Sequence, residues 1–227
     1  MKFTRRRLLS SAAIGTAASV TSLAVVSSDA VAYQSSTTVG SDPELRLEWQ
    51  ETYNDSVVDA GNETADGPVL DIGNAQPGDS GTLAFRVAPE TGDAGASARF
   101  SLSLTGNHEN DRNEPELAAG DMTADRGELA DALEVSAWYD TGSFGVSGLG
   151  GCDGDLDTAE TTLVDGSLVD ADAALSEGVP LGNDCLGPDS TACVGISWSL
   201  PKSAGNLIQG DSVETSLSFT VEPCDET

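Results

Sequence analysis

The stretch between Cys193 and Cys224 constrains the fold more than any other. Val194, Ile196, Trp198 and Leu200 alternate with Gly195, Ser197 and Ser199. Val213, Thr215, Leu217, Phe219 and Val221 alternate with Ser212, Glu214, Ser216, Ser218 and Thr220. A repeat of two gives each segment the form of a strand with one apolar and one hydroxyl-rich face. Pro201, Gly205, Asn206 and Gly210 lie between them and predict a reversal, so the two strands are expected to form a hairpin. Two strands cannot bury their apolar faces alone, so the rest of the chain must supply a covering layer.

Shorter segments repeat the pattern. Leu45, Leu47 and Trp49 predict a strand, as do Val69 to Ile72, then Leu83, Phe85 and Val87, then Phe100, Leu102 and Leu104. Leu133, Val135, Ala137 and Tyr139 form another, with Trp138 on its opposite face, and Thr162 to Val164 a short one. Pro77-Gly78-Asp79 is a turn, because Pro fixes its own φ and Gly accepts a positive one. Helix is scarce. Glu128 to Leu133 suits a turn or two. Ser167 to Ser176 suits a short helix capped by Ser167, with Asp170 three residues on and Gly178 to end it. Asn107 to Asp125 is acidic and reads as irregular. The expected class is all-β: an antiparallel β-sandwich of jelly-roll type with one or two short helices.

The first residues read as a leader. Lys2, Arg5, Arg6 and Arg7 precede an apolar run, and Ala30-Val31-Ala32 offers a cleavage site after Ala32. Arg5 and Arg6 resemble a twin-arginine export signal. Ser10, Ser11, Thr16, Ser19, Thr21 and Ser22 make the run a poor permanent span, so no membrane span is expected after cleavage. The expected organisation is a signal peptide over 1–32, a flexible N-terminal arm over 33–43 and a sandwich domain over 44–227.

Charge narrows the partners. The chain has 38 acidic against 10 basic residues, a net charge of -28, and Lys2, Arg5, Arg6 and Arg7 are lost with the leader. Such a surface repels nucleic acid and anionic lipid, which excludes both as partners. In molar salt the Debye length is about 3 Å, which screens the self-repulsion. The composition reads as that of a protein secreted by a halophilic archaeon.

Cys152, Cys185, Cys193 and Cys224 lie in a chain bound for an oxidising compartment, which favours two disulfides. If Leu200 faces Ser212 in the hairpin, position 224 faces the neighbourhood of Cys185. That register favours Cys185–Cys224 with Cys152–Cys193. Cys185–Cys193 with Cys152–Cys224 is the alternative, and zinc is disfavoured by the absence of a C-x-x-C spacing.

Asp153, Asp155 and Asp157 stand at alternate positions, with Glu160 following, like the opening of an EF-hand-type calcium loop. The loop departs from that pattern at Thr158, where Gly is required, and at Val164, where Glu is required. A solvated acidic loop is the competing reading, and no other cofactor is expected. Asn54-Asp55-Ser56 and Asn62-Glu63-Thr64 are glycosylation sequons. His108 is the one histidine, and neither a G-x-S-x-G elbow nor an H-E-x-x-H motif is present, so catalysis is not expected.

Five segments together resemble the haloarchaeal branch of the TasA/camelysin family: LRLEWQETY from Leu45, VLDIGNAQPGDSGTLAFRV from Val69, ALEVSAWYD from Ala132, ALSEGVPL from Ala174, and ISWSLPKSAGNLIQGDSVETSLSFTVEPC from Ile196. The resemblance implies a secreted jelly-roll protein of a family in which several members build extracellular fibres or pili. There the N-terminal strand of one subunit completes the sheet of the next. The metalloprotease activity ascribed to camelysin has no ligand set in this sequence. The expected function is a non-catalytic, self-associating subunit of a cell-surface or matrix fibre. The alternative is a monomeric secreted binding module, stabilised by calcium, with a glycan or surface-layer partner.

Overall fold

The computed structural model describes residues 33, 35–40, 43–58, 70–73, 75–89, 95–142 and 151–224. The export signal with Arg5, Arg6 and Ala32 lies outside the described residues, as does the Asn62 sequon.

Alternation along the strands builds two antiparallel sheets. The strands are β1 (Ser35–Gly40), β2 (Glu44–Tyr53), β3 (Ser56–Val58), β4 (Asp71–Gly73), β5 (Ser80–Pro89) and β6 (Ala96–His108). They continue with β7 (Glu134–Tyr139), β8 (Thr161–Ser167), β9 (Val179–Leu186), β10 (Ala192–Ser199) and β11 (Ser212–Pro223). The first sheet runs β1-β2-β5-β10-β7-β8, with β3 also on β2, and the second runs β4-β11-β6-β9. Leu45, Leu47, Leu83, Phe85, Val87, Val194 and Ile196 of the first sheet and Phe100, Leu102 and Val213 of the second are buried. Phe85 meets Phe100 and Phe219 at 6.0 and 5.4 Å between ring centroids, and this trio joins one sheet to the other. Such pairs add roughly 0.5–1.5 kcal/mol each beyond the area they bury.

Three short helices cover the ends: α1 (Glu114–Ala119), α2 (Leu129–Ala132) and α3 (Leu168–Leu175). In α3, Ser167 accepts from the Asp170 amide while the Asp170 side chain accepts from the Ser167 amide, the reciprocal cap its sequence predicts. The helix buries Leu168, Ala171 and Leu175. The Pro77-Gly78 turn closes through Asp79 N–H to Gln76 O at 2.8 Å, with Gly78 at φ 101°.

Several expectations need correction. The strands β10 and β11 do not form a hairpin: β10 pairs with β5 and β7, and β11 with β4 and β6. Their apolar faces meet the same core from opposite sides, and residues 200–211 carry the chain between sheets. A period of two fixes which face a strand buries but not which strand it lies beside. The segment expected as a flexible arm contributes β1, which pairs with β2 from Ser35 opposite Trp49 to Gly40 opposite Glu44. Its backbone hydrogen bonds to β2 compensate for its few large apolar residues. Asn107 to Asp125 is not wholly irregular, because α1 forms inside it behind an Asn113–Glu116 capping box with Pro115 in its first turn. β3 and β9 were not signalled by alternation; β9 (VPLGNDCL) carries Gly182 at φ 74° and pairs with β6 across a register shift.

Cys152 bonds Cys193, and Cys185 bonds Cys224, with Cα atoms 5.4 and 5.7 Å apart. This is the favoured pairing, although the hairpin register used to reach it does not exist. The second bridge joins β9 to the end of β11, the two neighbours of β6, and crosses the start of that strand at Gly95. A Cβ on Gly95 would lie 2.7 Å from Cys185 Sγ, so only glycine fits beneath the bridge.

Candidate metal centre

Where β6 ends and β11 begins, four chain segments bring five carboxylates together. Glu109 follows the last residue of β6. Glu116 is carried by α1, Asp121 follows that helix, Glu128 precedes α2, and Asp211 precedes β11. Glu109, Glu116, Asp121 and Asp211 are buried, and Glu128 is half-buried.

Four of the five have one oxygen held by the protein. Glu116 Oε2 accepts from Asn113 N at 2.6 Å. Asp121 Oδ1 accepts from Thr123 N at 2.7 Å, and the Thr123 hydroxyl lies between this oxygen and Glu128 Oε1, at 2.8 and 2.6 Å. Asp211 Oδ2 accepts from Glu128 N at 2.7 Å and from Leu129 N at 3.0 Å. Among the described residues the other oxygens have no hydrogen-bond partner: Glu116 Oε1, Asp121 Oδ2, Glu128 Oε2, Asp211 Oδ1 and both oxygens of Glu109. Ligand oxygens of Glu109, Glu116 and Asp211 lie within 4.8 Å of one another, as do those of Glu109, Asp121 and Glu128. Glu109 is common to both groups.

Electrostatics follows the geometry. Burial pushes the Glu109 carboxyl up to about 7, helped by the charges of Asp211, Asp121, Glu116 and Glu128. Burial also raises Asp211 to about 6, against the two amides it accepts from. Asp121 is held below its ordinary value, chiefly by the Thr123 amide. Arg112 Nε stands 3.9 Å from Asp121 Oδ2, the one cation paired with these five acids among the described residues.

The loop singled out in the sequence is built differently. Asp153 Oδ1 accepts from Asp155 N at 3.0 Å, and Glu160 accepts from Asp157 N and Gly142 N at 2.9 and 2.7 Å. These acids shape their own turn. Asp153, Asp155, Asp157 and Glu160 do not converge into a ligand group, whereas the two groups above do, among the described residues. The loop is anchored from beneath by Asp140, which accepts from Cys152 N and Gly154 N at 2.6 and 2.8 Å. Burial raises Asp140 to about 6. Asn54 sits in the β2–β3 turn at φ 46°, and the amide nitrogen a glycan would occupy donates to Asp79 Oδ1 at 2.9 Å. His108 is exposed at the end of β6, opposite Ser212.

Sequence reasoning did not find the five-carboxylate group. Its members are spread from 109 to 211 in a chain with 38 acids, so no local spacing marks them. The one local signal was the Asn113-x-x-Glu116 cap behind Pro115, which would have placed Glu116 on a helix. Comparison with known proteins adds no family: neither a family model nor a curated protein matches the chain.

Proposed function

We propose that this protein is a secreted, non-catalytic structural subunit of jelly-roll type that builds a cell-surface or extracellular-matrix fibre by strand donation. The observation that supports the reading is the seating of β1. The Tyr33 hydroxyl donates to Cys152 O at 3.2 Å, and the Arg86 guanidinium lies 4.6 Å from the Tyr33 ring centroid. Val39 packs against the core, and the strand hydrogen-bonds along β2 at the sheet's edge. Each of these partners belongs to residues beyond the arm, so the arm of a second copy meets the same groups. Head-to-tail exchange of such an arm is heterologous and does not close, which gives a filament. Two disulfides suit an oxidising, extracellular setting.

Electron microscopy of the secreted protein in molar salt tests the reading. Fibres are expected from the full chain. Tyr33→Ala is expected to reduce them and a chain starting at Glu44 to abolish them, with both variants shown to be folded by circular dichroism. Fibres that persist without the arm, or a full chain that stays monomeric at every concentration, would overturn it. The second outcome favours a monomeric binding module, the reading that the buried carboxylate group supports.

A further inference from the structure

We propose that Glu109, Glu116, Asp121, Glu128 and Asp211 form a calcium site at the junction of β6, α1, α2 and β11. The proposal goes beyond the fibre reading and does not depend on it.

An acidic surface alone would not carry it, since exposed acids are common in this chain. The distinguishing observation is burial without partners. Glu109 is 4% exposed, Glu116 0% and Asp211 1%, and each has at least one carboxylate oxygen with no donor. A carboxylate sealed from water without a counter-charge is strongly disfavoured, and mutual repulsion among five adds to the penalty. A cation beside Glu109, which belongs to both trios of neighbouring oxygens, removes both costs together.

The second shell is already built. Asn113, Thr123, Glu128 and Leu129 donate to the outward oxygens, which fixes the inward ones. Gly127 lets the backbone approach Asp211, where a Cβ would lie 2.6 Å from the carboxyl carbon. The donors name the ion. All are hard oxygens, with no thiolate or imidazole in either group, which disfavours zinc and copper. Calcium takes about 6–8 oxygens at roughly 2.3–2.6 Å in flexible geometry, which suits two trios that share Glu109, the oxygens of each within 4.8 Å of one another. Magnesium prefers a tighter octahedron that keeps several waters, and it commonly uses only one or two carboxylates.

The test is thermal unfolding of the full secreted chain in molar NaCl, with EDTA, calcium or magnesium. Calcium at a hundredfold excess over its Kd is expected to raise the midpoint by about 5–10 °C, and magnesium by much less. Glu109→Gln is expected to abolish the calcium shift. Its midpoint in EDTA should stay at or above that of the wild type, because one repelling charge has gone. If Glu109→Gln does not fold, Glu128→Gln at the half-buried edge should show a reduced shift. Asp155→Ala should keep the full shift. Coincident calcium and EDTA midpoints in the wild type would overturn the proposal. So would a full shift in the glutamine variants, or a shift lost in Asp155→Ala.

Discussion

Two acidic regions of this protein use the same side chain for opposite purposes. In the loop from Cys152 to Glu160, carboxylates accept backbone amides a few residues away and hold a turn in shape. At the junction of β6 and β11, Glu116 and Asp211 accept amides with one oxygen and leave the other without a donor among the described residues. In the first region Asp153 and Glu160 are engaged by nearby backbone amides. The second, in our proposal, is completed by a cation. Carboxylate spacing along the chain therefore says little about ion binding; what counts is how many oxygens are left over once the backbone is satisfied.

The largest effect that would sharpen this contrast comes from the disulfide beside the loop. Cys152–Cys193 closes a loop with a sequence separation of 41, and its removal is expected to cost about 2–4 kcal/mol. Paired Cys152→Ser and Cys193→Ser substitutions should loosen residues 152–160 in hydrogen exchange and leave the calcium-induced midpoint shift intact. A lost calcium shift would show that the two regions are coupled, breaking the comparison. Non-reducing peptide mapping of the wild type should recover Cys152–Cys193 and Cys185–Cys224.

A smaller effect is expected at the cap of α1. Asn113 accepts from the Glu116 amide and donates its own to Glu116 Oε2, so it both starts the helix and aims a ligand. Asn113→Ala should cost about 1 kcal/mol in denaturant unfolding in EDTA. In calcium the cost should be larger, because losing the side-chain cap loosens the start of α1 and with it the Asn113 backbone amide that aims Glu116. Equal costs in the two conditions would mean that the cap serves only the helix.

A third effect is a pH dependence in the loop region. Asp140 is raised in the folded state from 3.8 to about 6, first by burial. The folded protein thus holds this proton more tightly than the unfolded chain does. Stability relative to a neutral side chain falls as pH rises from about 4 to about 6, and is flat above that window. Asp140→Asn should therefore gain on the wild type across this interval when both are unfolded by denaturant in EDTA. A difference independent of pH would show that Asp140 binds its proton equally in the folded and unfolded chain.

The fold was legible where a physical signal is local. Alternation marked Leu45 to Trp49, Leu83 to Val87, Phe100 to Leu104 and both C-terminal strands, and Ser167 with Asp170 marked α3. Pairing was not legible, because β10 and β11 are neighbours in sequence with matching patterns yet lie in opposite sheets. β1 was missed because Ser, Thr and Gly dominate it, and its backbone bonds to β2 leave no mark in composition. The carboxylate centre was missed for a related reason. Its acids become neighbours only after β6 and β11 pair, with His108 beside Ser212.

The bridge over Gly95 has a mechanical consequence. Tension arriving just beyond β11 meets Cys224 first and passes through sulfur into β9, so the ladders on either side of β11 carry little of it. Tension arriving at β1 meets no such clamp. That strand lies at the sheet's edge, bonded along β2, and pulling from Ser35 opens its rungs one after another, beginning opposite Trp49. A load along the chain would thus find one end that peels and one that holds.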